Sequence, residues 1–195
     1  PVREFVSICG THVNCAGGLA WRDAGWLTCE ETTADARNGF LEPHGYTFLV
    51  PASANTAVLP VALKGMGRFA KEAALADDQS GIVYQTEDAG NNSGFYRFLP
   101  VDIEDLSRGG RLQMLKVADD PAFTGWVGQQ VGRVIRCEWV DIDNPDPNLA
   151  GGEPTCFAQG RGQGGAAFNR LEGLYRGEGR SIYFISTSGG AAQRG

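Results

Sequence analysis

The stretch "GIVYQTED", Gly81–Asp88, decides the architecture. It is a short apolar and aromatic run that ends on two carboxylates. Valine, isoleucine and tyrosine suit the pleated, half-buried surface of a strand, and Gly81 marks the turn before it. About one hundred residues further on, "RSIYFISTS" (Arg180–Ser188) repeats the pattern. Acidic residues keep step with it: 42 residues separate Glu30 from Glu72, and 85, close to twice that, separate Glu87 from Glu172. A period of roughly 40–50 residues with about four short strands is that of a β-propeller blade. The expected fold is therefore all-β, a β-propeller of which 195 residues hold roughly four blades. A β-sandwich with long loops is the competing architecture.

Composition agrees with short strands and tight turns. Glycine reaches 28 residues, and the apolar runs are broken by Gly, Pro, Asn and Asp. The net charge is −6 and no run of Lys or Arg exists, which argues against nucleic acid and anionic membrane as partners. No apolar run approaches the ~18 residues of a membrane span. The chain opens with Pro1 and "FVSIC" and closes on "STSGGAAQRG", so residues 1–195 are expected to be one piece of a propeller truncated at both ends.

Strands are expected at Glu4–Cys9, Trp26–Cys29, Tyr46–Val50, Val58–Val61, Gly81–Thr86, Gly94–Phe98, Leu112–Val117, Ile135–Val140 and Ser181–Thr187. Helical pieces are expected at Ala70–Leu75 and Pro121–Val127, with a turn near Gly132–Ile135. Asp143–Gly152 and Gln159–Gly165 are expected to be loops. Of five cysteines, Cys137 and Cys156 flank a Pro/Asp/Gly-rich loop; they suit either a disulfide or two separate small buried residues.

The chemistry concentrates where strands end. Glu30–Glu31, Glu72, Glu87–Asp88 and Glu172 follow apolar runs or tight turns, and strand ends of a propeller converge on its channel. Carboxylates gathered there repel unless cations sit among them, and hard cations such as calcium take six to eight oxygens. Each acid taken singly would also suit a turn or surface position. In "GWLTCEETTAD" (Gly25–Asp35), Cys29 adds a soft thiolate, which points to a transition metal; packing within a strand is its plainer role. A cysteine or serine nucleophile would have only His12 or His44 as base. "FNRLEG" sets Arg170 two residues before Glu172, and the glycine turn "NCAGG" brings Asn14 within reach of a ligand. Arg68 and Lys71 are alternative anion contacts.

In this order, "NCAGG", "WLTCEE", "HGYTFLV", "GRFAKEAA", "GIVYQTED", "SGFYRFLP", "FNRLEG" and "YFISTSGG" make the chain resemble the PhoX-type alkaline phosphatases over nearly its whole length. The resemblance implies a six-bladed propeller that hydrolyses phosphomonoesters and releases inorganic phosphate, in the periplasm or outside the cell, with a twin-arginine signal upstream. It implies two oxygen-bridged ferric ions with calcium around them. Carried over by motif, Cys29 would bind iron. Glu30, Glu31, Glu72, Glu87, Asp88 and Glu172 would be metal ligands, and Arg170 and Asn14 would contact phosphate. Small phosphate esters are the implied partners of a monomer. The chain departs from the family pattern at Lys71, where histidine is usual, at Leu171 in place of proline, and in "LAWRDA". A calcium-dependent propeller lactonase or esterase and a non-catalytic calcium-stabilised propeller are the alternatives.

Overall fold

The computed structural model describes residues 3–188. Ten strands form three antiparallel sheets among these residues. The first contains β1 (Gly18–Leu19), β2 (Gly25–Cys29) and β3 (Thr47–Pro51), in that order. The second is a five-stranded meander of β4 (Lys71–Ala76), β5 (Val83–Glu87), β6 (Phe95–Pro100), β7 (Gly110–Val117) and β8 (Cys137–Asp141). The third is the hairpin of β9 (Leu171–Arg176) and β10 (Ile182–Ser186). One short α-helix, α1, spans Cys156–Gly162. The chain is thus all-β in character, with three sheets where the period predicts about four.

Two apolar cores hold the sheets together. Leu27 and Cys29 of β2 meet Ala74 of β4, Tyr96 and Phe98 of β6, and Met114 of β7 in the first core. Phe95 of β6 turns to the opposite face, where Phe168, Leu171 and the half-buried Phe184 of β10 form the second. The central sheet is therefore covered on both faces, which is why "SGFYRFLP" reads as a nearly continuous apolar run. Fully burying a side chain such as Phe98 stabilises the fold by about 1.5–3 kcal/mol.

β4 is central to the arrangement, in contact with β1, β2 and β9 as well as with its neighbour β5. Its sequence, "KEAALA", is made of helix formers and predicts a helix at Ala70–Leu75. Instead all six residues are buried in a strand. Small alanines let neighbouring sheets approach closely, and tertiary packing overrides local preference. Other expectations also shift. Pro121–Val127 forms turns, Gln159–Gly165 overlaps α1, and Glu4–Cys9 and Val58–Val61 meet only through one bridge between Ile8 and Val58. Cys137 is exposed and Cys156 buried, and both are free thiols, so they are separate residues and not a disulfide.

Candidate metal and phosphate site

Four connections bring the site together. The first is the glycine turn of "NCAGG". Gly17 has φ 65°, and a Cβ there would strike the Leu27 carbonyl; a Cβ on Gly18 would strike that of Ala74. Only glycine lets this segment lie along β4, where Gly17 N–H donates to Glu72 O at 3.0 Å. Cys15, held by its N–H to Cys29 O at 2.9 Å, is thereby delivered beside Glu72. Glu31 arrives from the end of β2, its N–H donating to Val13 O at 2.8 Å. Thr86 joins β4 to β9: its hydroxyl donates to Glu172 O at 2.8 Å and accepts from Ala73 N–H at 3.1 Å.

Cys15 Sγ and carboxylate oxygens of Glu31 and Glu72 all lie within 4.8 Å of one another. Glu72 Oε2 is buried without a hydrogen-bond partner. Leaving such an oxygen unpaired is costly, and it is the atom a cation would satisfy. Burial raises the pKa of Glu31, and the Glu72, Asp88 and Glu172 charges add to the effect. Burial likewise raises Glu72, with Glu172 and Asp88 contributing. The Cys15 thiol is pushed up to about 12 by desolvation and by its hydrogen bond to Glu72. Like charges crowded together disfavour ionisation in this way.

Arg170 supplies the local positive charge. Its Nη2 donates to Glu172 Oε1 at 2.8 Å and to Asp88 Oδ2 at 3.2 Å. Thr187 Oγ1 donates to the same Glu172 oxygen at 3.0 Å. Four carboxylates against one guanidinium would repel a phosphate dianion, so anion binding here requires added cations.

Glu31, Glu72, Asp88, Glu172 and Arg170 of the sequence-derived set are thus brought together. Asn14 stands beside Cys15, its amide donating to Thr28 Oγ1 at 2.7 Å. Cys29, Glu30 and Glu87 lie elsewhere. Cys29 shares the inward face of β2 with Leu27 and sits in the apolar core, its Sγ 3.7 Å from the Thr47 hydroxyl and within reach of the Lys71 and Glu72 charges. Glu30 is fully buried and saturated: it accepts from the N–H groups of His12, Gly45 and Tyr46 and pairs with His44 Nδ1 at 2.7 Å. Glu87 accepts from Tyr96 Oη at 2.6 Å and Gly94 N–H at 3.1 Å, and burial lifts it to about 7.

Arg68 and Lys71 are spent internally and offer nothing to an anion. Arg68 donates to the carbonyls of His44, Pro147 and Thr33 and to Asp35. Lys71 is wholly buried, donating to Met66 O at 2.9 Å and Gln85 Oε1 at 2.7 Å over the Phe69 ring; burial lowers it to about 7. Cys15 is the residue that sequence reasoning missed. Its signal was the "NCAGG" turn itself, since a rigid glycine turn fixes the residue that precedes it.

An all-β protein that gathers a thiol, four carboxylates and an arginine at its strand ends offers soft and hard donors that could hold cations beside an anion contact. The family model described as Alkaline phosphatase PhoX matches residues 2–194, and the chain belongs to that family. No curated protein and no solved structure matches it. Among the described residues, no helix is long and apolar enough to cross a membrane.

Proposed function

We propose that this chain hydrolyses phosphomonoesters at the acidic group. Cys15, Glu31, Glu72, Asp88 and Glu172 would hold ferric and calcium ions, and Arg170 would grip the phosphate. One observation carries the proposal: Cys15, Glu31 and Glu72 converge around a buried Glu72 oxygen that has no partner. The donor set fits, because thiolate selects a transition metal and carboxylate oxygens suit calcium. Such cations, when bound, neutralise phosphate charge and lower the pKa of a bound water.

The protein's own residues supply orientation. Arg170 is anchored through Nη2, and its half-exposed guanidinium keeps further donors in a planar fork that matches phosphate oxygens. Thr187 fixes Glu172, and Asn14 offers a second polar contact next to Cys15. Cys29 and Glu30 take structural parts in this account, one packing β2 and the other tying the Cys15 loop to β3.

For the fold, β4 and β9 are read as inner strands of neighbouring propeller blades. The likeness of "GIVYQTED" and "RSIYFISTS", which supply β5 and β10, supports this. A periplasmic or secreted monomer completes the proposal.

Hydrolysis of p-nitrophenyl phosphate before and after chelation tests it. Activity should vanish on metal removal and return with iron and calcium together. Undiminished turnover by the fully chelated protein would reject the metal-assisted function.

A further inference from the structure

A cleft of about 660 Å³ opens between α1 and the segments that carry the acidic residues. Three of its lining residues fix its position: Thr33 lies two residues after Glu31, Ala70 two before Glu72, and Ala89 directly after Asp88. The cleft is thus bordered by the segments that carry Glu31, Glu72 and Asp88, and its volume suits a small organic group.

Phe69 and Ala70 on one side of the cleft and Phe157 and Ala158 of α1 on the other present apolar surface. Arg68 and Arg161 also line it; Arg68 is paired with Asp35, whereas Arg161 has no carboxylate partner among the described residues. Arg68 is consumed by three carbonyls and Asp35, as described above. Arg161 donates from Nη1 to the carbonyls of Phe123 and Gly165 at 3.1 and 2.8 Å, and from Nη2 to that of Ala122 at 3.0 Å. Glu87 lines the same wall, its carboxylate held by Tyr96 Oη and Gly94 N–H. An uncharged ring entering here would gain apolar contact at little desolvation cost.

We infer that this cleft receives the alcohol portion of the phosphomonoester, and that it selects bulky apolar alcohols over small ones. The inference rests on the phosphatase function proposed above and adds a substrate class to it.

The test compares kcat/KM for benzyl phosphate and methyl phosphate, esters of simple primary alcohols. The metal-loaded protein should favour benzyl over methyl phosphate by about tenfold or more. Ala158→Trp, at an exposed position, should fill the cleft and bring the benzyl-to-methyl ratio near one. Phe157→Ala should lower the same ratio by removing an apolar wall. A ratio near one in the unaltered protein, or a ratio that neither variant changes, overturns the inference. If no ester is hydrolysed, the phosphatase function itself fails, and benzylphosphonate binding followed by NMR decides the cleft. Saturable binding lost in Ala158→Trp supports it, and binding indifferent to that change overturns it.

Discussion

Arg170 reaches Asp88 across 82 residues of chain, placing Nη2 3.2 Å from Oδ2. It does so from φ 51°, a left-handed conformation that costs a side-chain-bearing residue about 1–2 kcal/mol. Two backbone bonds hold it there: Arg170 N–H donates to Gly90 O and Thr187 N–H to Arg170 O, both at 3.0 Å. Strain at such a point is sustained by its surroundings and accompanies function.

Arg170→Ala should therefore lower kcat/KM for a phosphomonoester by about 10²–10³-fold, the scale of one preorganised charge-stabilising donor. Arg170→Gly should lose as much activity yet melt higher than Arg170→Ala, because glycine adopts this φ without penalty. Steady-state kinetics and calorimetry on the pair separate the guanidinium's contribution from the backbone's.

Glu30 should prove a stability residue. Glu30→Ala leaves two buried N–H groups, the part-buried His12 N–H and His44 without their acceptor, a loss of about 3 kcal/mol or more. Glu30→Gln keeps an acceptor oxygen and should cost less. Urea denaturation measures both. A Glu30→Ala protein as stable as the parent would refute the hub.

Acid sensitivity should centre on Asp35. The Arg37 side chain and backbone, and then Arg68, hold its carboxyl well below the usual carboxylate range. A depressed folded pKa gives stability that is present above the unfolded value, about 4, and lost as pH falls through the folded one. Melting temperatures taken from neutral pH downward should drop below about pH 4 in the parent. Asp35→Asn should start lower and show a shallower acid limb. Parallel curves would rule out Asp35 as the source.

Much of this was legible in the sequence. β2, β3, β5, β6, β7, β8 and β10 fall on expected runs of aromatic and β-branched residues, and the acids at strand ends supplied Glu31, Glu72, Asp88 and Glu172. β4 was hidden because alanine, glutamate and lysine form helices when nothing packs on them. α1 was hidden by Gly160 and Gly162, yet a Cβ at Gly160 would collide with Met114 Sδ, so packing demands that glycine. The choice between Cys15 and Cys29 could not be made from adjacency. Cys29 sits beside two glutamates in sequence but shares the inward face of Leu27, while Cys15 reaches Glu72 only through a turn whose course depends on β4.

That choice gives the most direct test of the metal site. Elemental analysis of purified parent, Cys15→Ser and Cys29→Ser proteins should find iron with calcium in the parent and in Cys29→Ser, and iron lost from Cys15→Ser. Iron retained by Cys15→Ser but lost from Cys29→Ser would contradict the site described here.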